Sequence, residues 1–264
     1  MARITRIVLY PIKSLDGISV GEARVSARGA LEHDRRYAIV DTEGRFVNGK
    51  RLADVHRLRA RYADGSGSRV TLHAGREERS FRLDVEREAL AAWLGAFFGF
   101  PVYVPDDPES GFPDDKEAFG PTIISTATLA LVAGWFSARS EDQMRMRFRA
   151  NLEIGEVPAF WEDRLYGEPG TTVRFTVGAV CFEGTNPCQR CVVPTRDPLT
   201  GTEDRGFQKT LAVRRAETLP AWAARSRFNH FYRLAVNTCI PPSEAGKPIR
   251  VGDPVEIAGL GDAR

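Results

Sequence analysis

Short apolar segments bounded by turn residues dominate the first hundred positions of the chain. In these segments β-branched and aromatic residues alternate with polar ones or cluster together, which is typical of antiparallel strands. Residues 64–67, Asp-Gly-Ser-Gly, separate two of the segments and predict a hairpin. In this part of the chain, strands are predicted at residues 4–13, 18–26, 37–41, 45–47, 58–62 and 70–73.

Helical periodicity is confined to a few segments. The clearest is residues 84–99, where Asp84 is the expected N-cap. Apolar side chains recur there at i, i+3, i+4 and i+7, at Leu90, Trp93, Leu94 and Phe97. Two further helices are predicted, one at residues 125–137 with Ser125 or Thr126 as its cap, and one within residues 208–225, interrupted by Pro220.

The second half of the chain returns to strands, predicted at residues 172–182, 232–237 and 249–257. An acidic, proline-containing stretch at residues 106–117 precedes it and is the expected domain junction or long loop. No regular alternation of strands and helices occurs, which argues against a parallel sheet. We therefore predict a β-rich α+β fold with an N-terminal β-barrel-like domain, residues 1–105, then a second β-barrel domain with a few packed helices, residues 106–264.

Composition narrows the classes of partner. The net charge is only +2, so no global field attracts nucleic acid or an anionic membrane, and any bound anion needs a local basic cluster. The first residues contain a single short apolar run, residues 7–10, before Pro11, which is too short for a signal peptide. No stretch is long enough for a membrane-spanning helix. We expect a cytoplasmic protein that binds neither nucleic acid nor membranes.

The four cysteines are unevenly distributed, because Cys181, Cys188 and Cys191 fall within eleven residues while Cys239 lies apart. In a reducing compartment such residues are free, metal-bound or catalytic more often than paired. Arg190 directly precedes Cys191, and a neighbouring guanidinium favours the thiolate, the form that binds metal or attacks.

Three interpretations follow from the cysteines alone. Cys188 and Cys191 could form a zinc site with Cys181 and Cys239, although a second Cys-x-x-Cys pair is missing. Alternatively, the cysteine pair could be a redox or sulfur-carrying thiol. It could also be two small buried residues in a loop.

A family resemblance favours a different metal. Residues 187–191, Pro-Cys-Gln-Arg-Cys, followed by residues 194–201, Pro-Thr-Arg-Asp-Pro-Leu-Thr-Gly, resemble the signature of the MOSC family. That family includes the mitochondrial amidoxime-reducing components, their bacterial relatives and the C-terminal domain of molybdenum cofactor sulfurase. Further similar motifs follow the family's order: Tyr-Pro-Ile-Lys-Ser at 10–14, His-Asp-Arg-Arg-Tyr at 33–37, Phe-Arg-Ala-Asn at 148–151 and Val-Gly-Asp-Pro-Val at 251–255.

The resemblance implies that Cys191, as the second cysteine of the loop, binds the molybdenum of a molybdenum cofactor and is the catalytic residue. A soft thiolate suits that metal. The cofactor's phosphate and pterin need positive charge and hydrogen-bond donors. The resemblance assigns this role to Lys13, Ser14, Arg35, Arg149, Asn151 and Arg190, so that the cofactor would lie between the two domains.

The activity implied is two-electron oxo-transfer, which removes oxygen from an N-hydroxylated small-molecule substrate. Since only Cys239 follows the Cys191 loop, the chain lacks the cysteines of an iron–sulfur domain, and we expect a separate electron-donor protein. The alternatives are a persulfide sulfur carrier and a module that stores or carries the cofactor. The chain departs from the family pattern at three places, residues 48–51, residues 119–122 and Ala150.

Overall fold

The computed structural model describes residues 1–115, 117–137 and 139–262. No helix within these ranges is both long and apolar enough to cross a membrane. The strands are β1 (Arg3–Leu9), β2 (Ile18–Val20), β3 (Glu22–Arg24), β4 (Val40–Asp41), β5 (Leu58–Tyr62), β6 (Arg69–Ala74), β7 (Glu77–Arg82), β8 (Val102–Tyr103), β9 (Ile123–Ser125), β10 (Leu152–Gly155), β11 (Thr171–Val177), β12 (Val180–Gln189), β13 (Arg233–Cys239), β14 (Pro248–Arg250) and β15 (Val255–Asp262). The α-helices are α1 (Arg87–Phe98), α2 (Thr126–Ala133), α3 (Glu141–Phe148) and α4 (Phe207–Glu217).

An eight-stranded mixed sheet organises the molecule, with the strand order β15-β11-β12-β13-β9-β10-β1-β2. Among the strands of this sheet that the structure describes, β9 and β10 are the only neighbours that pair in parallel. The sheet curls back on itself, since the backbone of Ile4 in β1 exchanges hydrogen bonds with Gly252 and Asp253, which precede β15. The β-rich fold is confirmed, but the strands of the described residues do not close into a barrel.

The two halves of the sequence are interleaved in the fold. β1 pairs with β10 in the large sheet although they lie far apart in the chain, and β3 pairs with β14 in a separate two-stranded sheet. Interior residues of these strands, among them Ile4, Ile7 and Ile154, belong to one fully buried core. The division at residue 105 stays a prediction.

A second core fills the N-terminal part, where β5, β6 and β7 form a small antiparallel sheet next to α1. The predicted hairpin is confirmed, with Leu58 opposite Ala74 and Tyr62 opposite Val70. Leu90 and Leu94 bury the apolar face of α1. The predicted cap is wrong, because residues 82–86 form a turn closed by the hydrogen bond from Glu86 N to Arg82 O, and the helix begins only at Arg87.

Several predicted elements differ in extent. The first strand ends at Leu9, since Pro11 follows and the Tyr10 amide donates to the Asp34 carboxylate instead of to a neighbouring strand. Ser125 caps α2 as predicted, and its hydroxyl accepts a hydrogen bond from Thr128 N. Helix α3 was not predicted, although Ser140 and Gln143 form a capping box at its start.

Candidate functional site

A cleft of about 1370 Å³ lies between the N-terminal segment and the strands and loops of the second half. Among the described residues, its walls carry eleven arginines and lysines but only six aspartates and glutamates. A pocket with this surplus of positive charge suits an anionic ligand. The basic residues are Arg6, Arg35, Lys50, Arg59, Arg61, Arg145, Arg147, Arg149, Arg190, Arg227 and Arg233.

Cys191 lines this cleft just after β12 and is half-buried. The Tyr232 hydroxyl donates a 3.1 Å hydrogen bond to its backbone carbonyl and so holds the loop in place. In the described part of the chain, no hydrogen bond engages the Cys191 Sγ. This sulfur is therefore free to bind a metal or to react.

Cys188 is a different kind of thiol. It is only 4% exposed, and its Sγ donates a hydrogen bond to the side-chain oxygen of Asn237. Burial raises the pKa of Cys188 to about 11, a shift that the nearby Arg190 guanidinium partly opposes. Cys188 thus stays protonated at neutral pH, and the two cysteines of the loop differ in chemistry.

The zinc alternative has no support in the structure. Residues 1–115, 117–137 and 139–262 contain no group of three or more histidine, cysteine, aspartate or glutamate side chains that could hold a metal ion. Cys181 lies exposed on β12, and the Cys239 thiol contacts the carbonyl of Glu117. None of the four cysteines forms a disulfide, and within the described residues they do not assemble a zinc site.

Arg190 connects the cysteine loop to the end of α3. Its Nη2 donates a 2.6 Å hydrogen bond to the Phe148 carbonyl, and its guanidinium lies 5.4 Å from the Phe148 ring centroid. The Arg190 Nε is buried and has no hydrogen-bond partner within the described residues. A buried N–H without a partner is costly, so this atom is an available donor for a ligand in the cleft.

Arg149 ends α3 in the left-handed conformation, with a φ of 51°. Its guanidinium lies 4.1 Å from the centroid of the Tyr10 ring, and no carboxylate of the described residues pairs with it. Ser14 and Arg35 also have positive φ, 74° and 52°. This conformation costs a non-glycine residue about 1 kcal/mol or more, and such strain concentrates at functional sites.

Arg35 and Asn151 form a polar wall of the cleft. The Arg35 guanidinium pairs with Asp34, donates a 3.4 Å hydrogen bond to the side-chain oxygen of Asn151, and lies 3.7 Å from Asp114. Asn151 is buried, and its Nδ2 donates to the Val8 carbonyl. Its amide is therefore largely satisfied by the protein and fixes the position of Arg35.

Six of the seven residues implied by the resemblance come together in this cleft: Ser14, Arg35, Arg149, Asn151, Arg190 and Cys191. Lys13 does not line it. Its ammonium is buried under residues 112–114 and donates to the carbonyls of Phe112 and Pro113 and to the Asp114 carboxylate. The cofactor role of all seven residues stays a prediction.

Sequence reasoning assigned no role to several residues of the cleft. The Arg35 and Arg149 guanidinium groups lie over the Tyr10 ring. Lys50 lies where the chain departs from the family pattern, and Asp114 lies in the stretch predicted as a domain junction or long loop. His56 also lines the cleft, and burial and the nearby Arg196 and Arg149 lower its pKa. The available signals were the motif at residues 10–14, which includes Tyr10, and the two basic residues among residues 48–51, Lys50 and Arg51.

Comparisons with known proteins identify the family. The MOSC N-terminal beta barrel domain matches residues 1–99, and the MOSC domain matches residues 121–256, which is 136 of the 264 residues. The chain belongs to the MOSC family. This MOSC protein is 26% identical to mitochondrial amidoxime-reducing component 1 of Homo sapiens, over 76% of the chain and 68% of the relative.

It is also 25% identical to the molybdenum cofactor sulfurase of Homo sapiens, over 78% of the chain. The chain spans only 28% of that protein's length. The chain is also similar to a solved structure, the YUAD protein from Bacillus subtilis. The superposition includes 100% of this chain and 98% of the YUAD chain, at 10% sequence identity. Its TM-score of 0.38 is too low to support an argument about fold.

Proposed function

We propose that this MOSC protein binds the molybdenum cofactor in its cleft and that Cys191 ligates the metal. The observation that supports this most is a juxtaposition in one cleft. Within the described residues, the Cys191 thiol has no hydrogen-bond partner and the Arg149 guanidinium has no carboxylate partner. A soft thiolate suits molybdenum, and a free guanidinium suits a phosphate.

The other polar atoms of the cleft fit the same ligand. The Nε atoms of Arg190 and Arg233 are buried and lack partners within the described residues. Both arginines line the cleft, so both are donors for the oxygen and nitrogen acceptors of a pterin or for phosphate oxygens. Buried donors of this kind are expected where a ligand normally satisfies them.

When bound, the cofactor supplies two-electron oxygen-atom transfer at molybdenum. The protein's contribution is binding and orientation: Arg149 and Arg35 hold negative charge, and Tyr232 fixes the Cys191 backbone. Because Cys188 keeps its proton at neutral pH, it does not compete with Cys191 for the metal.

For the activity we propose reduction of an N-hydroxylated small molecule. One hydroxylamine-type N–O bond is broken with two electrons and two protons, which gives the amine or amidine and water. The similarity to an amidoxime-reducing component supports this substrate class. We further propose that the electrons come from a separate donor protein.

A sulfur-transfer role is the second candidate. The identity to a molybdenum cofactor sulfurase, 25%, nearly equals that to the amidoxime-reducing component, 26%. In this alternative the Cys191 sulfur would carry a persulfide and pass the terminal sulfur to an acceptor, without a resident metal.

The two candidates are separated by assaying protein purified from cells that make the cofactor. We expect reduction of an aromatic amidoxime with a chemical reductant, no turnover with NADH alone, and little cyanide-releasable sulfur. The matched control is Cys188→Ser, which should keep the activity, while Cys191→Ser should lose it. Cyanide-releasable sulfur that depends on Cys191, in protein without amidoxime reduction, would instead establish the sulfur-transfer role.

A further inference from the structure

Residues 112–114 cover the cation that the family resemblance places in the cofactor site. The loop is attached to residues 34–36 by the hydrogen bond from Phe112 N to Arg35 O. The Phe112 ring packs edge-on against Phe46 at 6.0 Å. Pro113 and Asp114, which follow this attachment point, line the cleft and lie between it and the Lys13 ammonium.

Asp114 bridges two cations at this point. Its Oδ1 accepts a 2.7 Å hydrogen bond from the Lys13 Nζ, and its Oδ2 lies 3.7 Å from the Arg35 Nε. Lys50, which also lines the cleft, adds to the positive electrostatic potential at the Asp114 carboxylate. Arg35 and Lys13 together lower the pKa of Asp114 far below its usual range, so the residue is an anion throughout the neutral range.

The Asp114 carboxylate occupies the place where an anionic ligand would contact Lys13 and Arg35. Its side chain is 59% exposed and contacts the cations from the solvent side, whereas the Lys13 side chain is only 8% exposed. All three hydrogen bonds of the Lys13 ammonium go to residues 112–114, and its other contact is with the Phe46 ring, 5.3 Å away. Lys13 therefore has no hydrogen left for a ligand while Asp114 stays in place.

We propose that Asp114 is an internal competitor, which neutralises Lys13 and Arg35 in the free protein and leaves them when a phosphate group binds. A phosphate monoester carries a charge of about −1.5 to −2 at neutral pH, against −1 for the carboxylate, so two cations favour the exchange. An anion with a charge of only −1 has no electrostatic advantage over the carboxylate and does not displace it. Asp114 therefore excludes singly charged anions from the site and admits a ligand that carries a phosphate group.

This inference deepens the proposed function and rests on it, since the cofactor supplies the phosphate. It is tested on metal-free protein with inorganic ions, so a failure here leaves the metal-content and activity tests untouched. The probes are inorganic phosphate and pyrophosphate, titrated calorimetrically at low salt into the wild type, Asp114→Asn and Glu109→Gln. Glu109→Gln is the matched control because it removes the same charge from an exposed residue of the same stretch that does not line the cleft.

Asp114→Asn should bind both ions about tenfold more tightly, as expected when a competitor held by charge-assisted bonds is removed. Affinity should increase by the same factor for both ions, because each ion displaces the same Asp114 side chain at the same cost in free energy. Glu109→Gln should match the wild type.

Two results would overturn the proposal. One is an unchanged affinity in Asp114→Asn, checked with Asp114→Ser in case the asparagine takes over the contact with Lys13. The other is a clearly larger gain for pyrophosphate than for phosphate, since that dependence on ligand charge means Asp114 stays in place and merely repels. Thermal unfolding of each variant without ligand confirms that it is folded.

Discussion

The Arg149 guanidinium lies 4.1 Å from the centroid of the Tyr10 ring, which joins the end of α3 to the residues that follow β1. Arg35 lies over the same ring at 5.4 Å. One buried aromatic residue therefore holds two cations of like charge near each other in the cleft. Each such contact contributes about 0.5–2 kcal/mol, depending on desolvation.

Replacing Arg149 should weaken anion binding while the backbone conformation at this position is kept. We expect Arg149→Asn to lower the affinity of metal-free protein for inorganic phosphate about tenfold or more, because a charge-assisted hydrogen bond is lost. Asparagine tolerates the positive φ at this position, so the backbone is preserved. Arg205→Asn, the same charge change at an exposed residue outside the cleft, is the control in calorimetric titrations. Equal phosphate affinities in the two variants would show that Arg149 does not contribute to the anion site.

The Tyr10 ring should matter more than its hydroxyl. Tyr10→Leu is expected to weaken phosphate binding about threefold to tenfold, because both cation–π contacts are lost. Tyr10→Phe keeps the ring and loses only a 3.4 Å hydrogen bond to the Ala150 carbonyl, so its affinity should stay near the wild-type value. A loss that is as large in Tyr10→Phe would assign the effect to the hydroxyl.

Glu162 predicts a pH-dependent stability. Its buried carboxylate oxygens lack hydrogen-bond partners of good geometry within the described residues, although Ser125 and Thr128 lie close. Burial and Asp163 raise its pKa from 4.5 to about 7. The pKa of Glu162 is higher in the folded than in the unfolded protein. Its stabilising contribution to the free energy of unfolding is therefore fully present below about pH 4.5 and is lost as pH rises through about 7.

Glu162→Gln imitates the protonated acid. It should therefore raise the free energy of unfolding by about 2–3 kcal/mol at pH 8 and by much less at pH 5. Urea unfolding at both pH values measures this, with the exposed Glu109→Gln as control. A stabilisation that is equal at the two pH values would show that ionisation of Glu162 is not its source.

The close approach of β12 to Leu165 makes a strong stability prediction. A Cβ at Gly184 would lie 1.7 Å from the Leu165 carbonyl oxygen, a backbone atom that cannot move aside cheaply. We expect Gly184→Ala to lower the free energy of unfolding by about 2–4 kcal/mol. Gly21→Ala, where no atom lies within 4 Å, should change it by less than about 0.5 kcal/mol. Similar values for both variants would contradict the packing described for β12.

Hydrophobic patterning was sufficient for the elements that carry a strong local signal. The β5–β6 hairpin and α1 were both predicted, since a Gly-rich turn and an i, i+3, i+4 repeat mark them. β7 was missed because only Phe81 is buried in it, so the strand has no alternation. The pairing of β1 with β10 is a contact between distant segments that no local pattern specifies.

The site was predicted less completely than the fold. The motifs pointed to residues that do share one cleft, including Arg149 and Cys191. They could not reveal that Lys13 donates to residues 112–114, because the direction of a long flexible side chain depends on the fold around it. For the same reason, the sequence placed Asp114 only in a junction or long loop and did not reveal it as the partner of two cations.

The central claim is that Cys191, and not Cys188, holds molybdenum. The most direct measurement is the metal content of wild type, Cys188→Ser and Cys191→Ser, purified from cells that make the cofactor. We predict about one molybdenum per chain in the wild type and in Cys188→Ser, and a large loss in Cys191→Ser, because a hard serine oxygen replaces the soft thiolate. Equal molybdenum in the two variants, or a wild type without molybdenum, would contradict the account.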